Sequence, residues 1–219
     1  MPSLSPLGLR LVTALWGVPL ILGVVWLGGW LYGVLVAALG LASLYELVQL
    51  TQKKGVWFWL AGVYVTAACA CLLALPSMAL PQVFGADFPL VIALITLVWV
   101  NDTVAYVGGK AIGGARLMPA ISPNKTWAGL MVSLVVTTAY GAAFIVWWTQ
   151  EVSWAVALMV AFGASVVAHV GDAGESLYKR WAGVKDSGAW LPGHGGILDR
   201  FDSLYAVALV SFVVLTSLR

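Results

Sequence analysis

Charged residues are scarce in this chain: lysine, arginine, aspartate and glutamate together make up 9% of its 219 residues. Hydrophobic residues make up 62%, and the mean hydropathy is +0.97. A composition this apolar excludes an ordinary soluble domain and is typical of an integral membrane protein. The net charge is only +2, and we expect no nucleic-acid partner.

Cysteine is rare as well, and its pattern points to no metal site. Cys69 and Cys71 stand two residues apart in an apolar run with no second cysteine pair beside them, so we interpret them as packing residues. The first apolar run has no A-x-A-like cleavage site and continues almost unbroken to Leu50, which predicts an uncleaved membrane segment. Hydrolase-type nucleophile motifs are also missing.

Long apolar runs are abundant, and seven of them approach the roughly 20 residues that a helix needs to cross a bilayer. We therefore predict an all-α, polytopic integral membrane protein with about seven transmembrane helices. Gly28 and Gly29 alone separate the first two runs, which predicts a tight helical hairpin. The connector 76–89 is ambiguous and could hide a short re-entrant helix. The seven runs are residues 11–27, 30–50, 56–75, 88–108, 127–148, 152–170 and 201–218.

Basic residues fall on one side of this predicted topology. When successive connections are assigned to alternate sides, ten basic residues share one side and one stands on the other. The positive-inside rule then predicts a cytoplasmic N-terminus and cytoplasmic polar loops, in an inner or cell membrane. The ten are Arg10, Lys53, Lys54, Lys110, Arg116, Lys125, Lys179, Arg180, Lys185 and Arg200, and the other is Arg219.

The charge divides the chain into two regions. Residues 1–87 are apolar helices with little charge, whereas residues 88–219 carry two polar loops, 109–126 and 171–200. In the first loop, Pro123 fixes a turn, and Ser122 or Thr126 could cap the helix that starts near Trp127. Lys125 in that turn suits a phosphate, although an ordinary cytoplasmic turn would have the same composition.

Asp102 lies inside the fourth apolar run, where an acidic residue costs about 2.5–3.5 kcal/mol at the helix centre. Such a residue faces a polar cavity or pairs with another helix. We favour a place in the functional site.

The segment from His169 to Arg180 places its polar residues on one helical face. His169, Asp172, Glu175 and Lys179 follow one another at intervals of three or four residues. Two carboxylates one turn apart could bind a divalent cation through oxygen. Glu175 and Lys179 could instead form a simple i,i+4 pair, and for His169 a structural hydrogen bond is favoured over metal ligation.

The stretch LPGHGGILDRFD, residues 191–202, cannot begin as regular helix. Its glycines allow close backbone approach to a ligand, and their N–H groups could form an anion site. Asp199 and Asp202 follow at i,i+3, with Arg200 between them as a phosphate ligand. Acids for a metal and bases for phosphates beside a bilayer predict phosphoryl or nucleotidyl transfer onto a lipid.

Three stretches together resemble the phosphatidate cytidylyltransferase (CDP-diacylglycerol synthase) family. The longest is SLYKRWAGVKDSGAWLPGHGGILDRFD, residues 176–202, and the others are DTVAYVGG, 102–109, and SPNKTW, 122–127. The resemblance covers about residues 98–205. It implies that CTP and phosphatidic acid form CDP-diacylglycerol and pyrophosphate at the cytoplasmic face. It also implies Mg²⁺ as cofactor, and it leaves a second cation and a homodimer open.

The resemblance implies a role for each matching residue. The catalytic residues would be Asp172, Asp199, Lys179, Arg200 and His194. The metal ligands would be Asp172, Glu175, Asp199 and Asp202. The substrate would be bound by Asp102, Ser122, Lys125, Thr126, Arg180, Lys185, Gly195 and Gly196.

The chain departs from the family pattern at Asn124 and Ala128, where lysine and glutamate are expected, and at Tyr178, where an aliphatic residue is usual. One alternative is a related enzyme for an isoprenoid lipid, of the CDP-archaeol synthase or polyprenol kinase type. A membrane transporter is another, since Asp102 lies in an apolar run. The DGxxAR-type motif of CDP-alcohol phosphotransferases is missing.

Overall fold

The computed structural model describes residues 6–50, 55–78, 89–188, 190 and 195–218, with side chains from residue 15 onward. These ranges contain seven α-helices and one two-stranded ribbon, so the all-α prediction is confirmed. In chain order they are α1 (Pro6–Leu27), α2 (Gly29–Leu50), α3 (Val56–Ala74), α4 (Leu90–Ile112), β1 (Arg116–Met118), β2 (Ser122–Thr126), α5 (Trp127–Thr149), α6 (Trp154–Ala182) and α7 (Leu198–Ser217).

Five of these helices are long and apolar enough to cross a membrane: α2, α3 with its short 3-10 extension, α4, α5 and α6. In α1 the described apolar segment is shorter, 15–27, and α7 has three charged residues in its first five positions. Large apolar side chains such as Trp16, Trp30 and Trp147 are exposed on the outside of the bundle. A bilayer would cover such a surface.

The turns between elements agree only in part with the sequence. Gly28 and Gly29 have φ values of 64° and 58° and connect α1 directly to α2, as predicted. The segment Ser122–Thr126, predicted as a turn, is instead strand β2, which pairs antiparallel with β1, and the reversal lies at 119–121. The connector 76–89 begins within a 3-10 turn, Leu75–Met78, and residues 79–88 lie outside the described part.

Helix α6 is longer than its apolar run. The apolar run predicted as a membrane span ends at residue 170, whereas the helix continues to Ala182. The first twelve residues of the predicted polar loop 171–200 are therefore helical, in agreement with the helical spacing from His169 to Arg180. Similarly, α4 ends at Ile112 and takes in the first residues of the predicted loop 109–126. Hydropathy marks where a helix leaves an apolar environment, whereas the helix ends where its hydrogen bonding ends, here at a left-handed Gly183.

Glycines let the helices of the second region approach closely. A Cβ at Gly129 of α5 would lie 2.5 Å from the carbonyl oxygen of Ala105 in α4. One at Gly171 of α6 would lie 2.6 Å from the Cβ of Ala206 in α7. Small residues at such crossings are typical of membrane helices, which have no hydrophobic force to draw them together. The crossings bring the ends of α4 and α6 beside the starts of α5 and α7.

The start of helix α7 is enclosed by neighbouring helices of the described bundle. It packs against α6, α3, α4 and α2, and Phe201 to Tyr205 are all buried. Tyr205 is completely buried and shares a 2.8 Å hydrogen bond with Ser43 of α2. The charged first turn of α7 is therefore held by helices from both regions of the chain.

Candidate active site

Polar side chains from β2, α6 and α7 gather at one end of the bundle. Lys125, next to the end of β2, forms an ion pair with Asp172 of α6, with 2.5 Å between Nζ and Oδ2. Both side chains are about a quarter exposed, at 25% and 29%. The end of the ribbon and the last turns of α6 thus form one face that solvent can reach.

A second and more buried cluster surrounds Lys179. Its Nζ lies 2.7 Å from Oε2 of Glu175 and 2.6 Å from Oδ1 of Asp199. The lysine side chain is 13% exposed and each carboxylate 8%. One ammonium therefore serves two carboxylates in a largely enclosed position, and it connects α6 to the start of α7. The i,i+4 pair that the sequence allowed for Glu175 and Lys179 is present.

Asp199 is held by more than the lysine. Its Oδ2 accepts the backbone N–H groups of Ser187 at 2.9 Å and Gly196 at 3.1 Å. Burial alone would raise the pKa of the Asp199 carboxyl, but hydrogen bonds from Lys179 and the Ser187 backbone lower that pKa below its usual value. Asp199 is accordingly an anion at neutral pH, with both oxygens oriented.

Two further acids, Asp102 of α4 and Asp202 of α7, lie near Asp172 of α6. Asp172 interacts electrostatically with Asp102 and with Asp202. Asp102 also lies within electrostatic reach of Lys125 and Arg200, which supports its expected place beside the site. Asp202 is 7% exposed, and its Oδ1 accepts the N–H of Ser203 at 2.6 Å. Residues from four segments of the sequence thus share one electrostatic environment.

Several other predicted site residues have structural contacts. The Thr126 hydroxyl accepts the N–H of Gly129 at 3.1 Å and caps α5, as the sequence allowed. Arg180 donates to the carbonyls of Ile121 at 2.8 Å and Val184 at 3.1 Å, so it fastens the ribbon to the end of α6.

The remaining predicted residues differ in exposure. Lys185 and Arg200 are exposed, and Ser122 is half-buried in β2. Gly195 has a φ of 84°, a conformation that favours glycine, and Gly196 is buried. His194 lies outside the described residues.

The carboxylates are oxygen donors of the kind that Mg²⁺ takes, but lysines hold three of them. Among the residues that the structure describes, no group of three or more His, Cys, Asp or Glu side chains is arranged to hold a metal ion. Asp172 is paired with Lys125, and Glu175 and Asp199 with Lys179. The donor chemistry fits Mg²⁺, and the ammonium groups neutralise the same oxygens.

His169 is a structural residue here. Its Nε2 lies 2.7 Å from the Ser133 hydroxyl of α5, which is the hydrogen-bonded role favoured from the sequence. A comparable bond connects Ser165 of α6 to Asn101 of α4 at 2.7 Å. These bonds fix α6 between its neighbours just inside the charged end.

Sequence reasoning missed Glu46. This acid lies in the apolar run of α2 and is 1% exposed. It accepts hydrogen bonds from Ser187, Ile197 and Leu198, which lead into α7. The signal was available, because an acidic residue within an apolar span marks a functional site by the same argument that singled out Asp102.

Comparison with known proteins places this chain in a family. The model of the cytidylyltransferase family matches residues 54–218, about three quarters of the chain. The chain belongs to the cytidylyltransferase family. It is 31% identical over 253 aligned residues to the phosphatidate cytidylyltransferase of Brucella abortus, covering 96% of this chain and 93% of that protein.

Two further relatives of this cytidylyltransferase have the same name. The phosphatidate cytidylyltransferase of Pseudomonas aeruginosa is 36% identical over 179 residues, 79% of this chain and 65% of that protein. That of Staphylococcus aureus is 41% identical over 122 residues, 55% of this chain and 47% of that protein. The two lysine–carboxylate clusters fall within the matched segment 54–218, whereas Glu46 precedes it.

Proposed function

We propose that this cytidylyltransferase joins CTP to phosphatidic acid and so forms CDP-diacylglycerol and pyrophosphate. The observation that carries the proposal is the convergence of Lys125, Lys179 and five acids at one end of an apolar bundle. Such a site can meet a charged headgroup while the lipid chains stay in the bilayer. The names of the relatives supply the lipid and the nucleotide.

In the proposed reaction, a phosphate oxygen of phosphatidic acid attacks the α-phosphorus of CTP. The new P–O bond forms as the bond to the β-phosphate oxygen breaks, and pyrophosphate leaves. No protein nucleophile is needed, so the chain contributes position and charge. Lys125 and Lys179 would turn from their carboxylates to phosphate oxygens, and Arg200, Arg180 and Lys185 would add positive charge.

Mg²⁺ is part of this proposal. It would offset negative charge on the phosphates of the nucleotide and the leaving group. Asp172 and Asp199 would hold it, with Glu175 or Asp202 in support, as the resemblance to the phosphatidate cytidylyltransferases implies. His194 with Gly195 and Gly196, Ser122 and Thr126, and Asp102 on the nucleotide side remain predicted substrate contacts. A second cation and a homodimer stay predictions.

The membrane topology is also a proposal. We infer seven transmembrane helices, with α1 and α7 added to the five apolar helices, and a site that faces the cytoplasm of an inner or cell membrane. The support is the one-sided distribution of basic residues and the location of both lysine clusters at one end of the bundle. CTP and the other nucleotides are cytoplasmic solutes, which agrees with this orientation.

The test is pyrophosphate release by purified protein in detergent, with CTP and phosphatidic acid, with and without Mg²⁺. We expect turnover to require both substrates and the metal, and to collapse in Asp199→Asn, which removes an anionic partner of Lys179. Glu151→Gln, an exposed acid in the α5–α6 connection, is the control. If turnover occurs only with an isoprenoid lipid, that lipid and not phosphatidic acid is the acceptor. Solute flux without turnover would favour a transporter.

A further inference from the structure

Glu46 lies on α2, close to the end of that helix that meets the charged site. Its Oε1 accepts the backbone N–H of Ile197 at 2.8 Å. Its Oε2 accepts the N–H of Leu198 at 2.9 Å and the hydroxyl of Ser187 at 2.8 Å. A carboxylate buried in an apolar helix is costly unless such donors satisfy it. All three donors come from the segment that leads into α7.

Ser187 extends this network to Asp199. The Ser187 hydroxyl, which donates to Glu46, accepts the backbone N–H of Asp199 at 3.3 Å. The Ser187 N–H in turn donates to the Asp199 carboxylate at 2.9 Å. Ser187 therefore connects Glu46 to Asp199, the carboxylate that pairs with Lys179, although 153 positions separate the two acids in the sequence.

Two glycines show how closely the segment is fitted around the Glu46 carboxylate. A Cβ at Gly188 would lie 2.6 Å from Glu46 Oε1, and a Cβ at Gly196 would lie 2.6 Å from Oε2. The Cβ at Gly196 would also overlap the Ser187 hydroxyl. The space that these side chains would need is filled by the acid, so the glycines serve its approach independently of any ligand.

We propose that Glu46 is a positioning residue for cytidylyl transfer: it fixes the start of α7 and thereby sets the place of Asp199 and Arg200. This inference rests on the proposed function. It gives the N-terminal helices a role in the reaction besides lipid contact. Tyr64 of α3 also helps to fix the start of α7, because its hydroxyl donates to the backbone carbonyl of Asp202 at 3.3 Å.

The chemistry of the contact requires a carboxylate. Both oxygens face backbone N–H donors, so an amide at this position would set its NH₂ group against one of them. We therefore expect Glu46→Gln to lose almost as much turnover as Glu46→Ala would. Glu46→Asp keeps two acceptors on a stem shorter by one methylene and should recover part of the function.

The experiment compares Glu46→Gln, Glu46→Asp and Ser187→Ala with wild type, with Glu151→Gln as an acid-to-amide control on the surface. Steady-state pyrophosphate release gives kcat and KM for CTP, and hydrogen exchange reports the amides of residues 195–199. For Glu46→Gln we expect kcat to fall about tenfold or more, the equivalent of one lost hydrogen bond of about 1.4 kcal/mol. KM for CTP should change less than about threefold, because the lysines that meet the phosphates are unchanged.

Exchange of the Ile197 and Leu198 amides should speed up by about tenfold in Glu46→Gln while α5 keeps its protection. Glu46→Asp should recover part of kcat, and Ser187→Ala should lower kcat in the same direction. The proposal is overturned if Glu46→Gln keeps kcat within about twofold of wild type. It is also overturned if exchange at 195–199 is unchanged, or if the loss of kcat vanishes after correction for the folded fraction.

The two proposals fail in different ways. If wild type gives no turnover with CTP and phosphatidic acid, the proposed function is wrong. Exchange needs no substrate, so it still decides whether Glu46 holds the start of α7. If the Glu46 variants do not fold, Ser187→Ala still tests the hydrogen-bond network, since it removes one hydroxyl and no charge.

Discussion

Replacing Lys179 with methionine would remove the single cation that two buried carboxylates share. Glu175 and Asp199 lie 2.7 Å and 2.6 Å from its Nζ, and each is 8% exposed. Methionine has a similar length and can fill the space. The change therefore removes the charge while leaving the packing largely intact, and two carboxylates are left facing each other in a poorly solvated place.

Breaking a buried ion pair by removing one partner costs about 3–5 kcal/mol, because the other charge stays buried. For a chain of this size, that loss lowers the melting temperature by about 6–20 °C. Lys110→Met is the control: Lys110 is exposed and lies over the Tyr106 ring at 5.9 Å. An exposed contact of that kind contributes only about 0.5–1 kcal/mol.

The loss of stability in Lys179→Met should become larger as the pH rises. In wild type the pKa of Asp199 is lowered, so its stabilising effect is present above its unfolded pKa and is lost as the pH falls. Without Lys179 the pKa of Asp199 should rise above the unfolded value. The charged form then opposes folding, and the deficit of Lys179→Met should grow between about pH 5 and pH 8.

The assay is thermal unfolding in detergent at both ends of that range, with pyrophosphate release measured on the same samples. We expect Lys179→Met to be inactive and Lys179→Arg to keep most of the stability. A melting temperature within about 2 °C of wild type, or a deficit equal at both pH values, would refute the reasoning.

Three further predictions concern other parts of the site. Lys125→Ala should cost only about 0–1 kcal/mol of stability, because its pair with Asp172 is partly exposed, yet it should lower turnover about a hundredfold if Lys125 neutralises phosphate. A normal kcat would contradict this. Gly171→Ala should destabilise the protein by about 1–3 kcal/mol, because the added methyl group pushes α7 away from α6. Gly174→Ala is the control, since a Cβ there meets nothing within 4 Å. Equal melting temperatures of the two variants would show that the helix crossing can relax. Chelation should abolish pyrophosphate release, and Mg²⁺ should restore it without a large change in melting temperature; full activity in the chelator would exclude a required metal.

Local chemistry explains the parts of the site that sequence could predict. The spacing from His169 to Lys179 put the polar residues on one helical face, and α6 is helical throughout that segment. Thr126 caps α5 because a hydroxyl before a helix meets free N–H groups wherever the chain goes afterwards. The hairpin at Gly28 and Gly29 follows from the backbone freedom of glycine.

Most of the ion pairing could not be predicted in this way. The sequence allowed the Glu175–Lys179 pair, which is present, but no local pattern indicated that Asp172 pairs with Lys125 or that Asp199 shares Lys179. The hairpin of β1 and β2 also escaped prediction, because pairing of two short strands depends on register rather than on the polar composition of Ser122–Thr126. The apolar run ends at residue 170, twelve residues before α6 does, since hydropathy does not mark where helical hydrogen bonding ends.

The sequence alone determined that this is a helical membrane enzyme of the cytidylyltransferase type, because apolar run length and motif spacing are properties of neighbouring residues. Tertiary structure alone decided which charges meet. Glu46 and Asp199 are far apart in the chain, and they share Ser187 only because α2 packs beside the start of α7. In a bundle of helices, axial position and rotation bring such groups together, and both are set by packing between helices that no local pattern records.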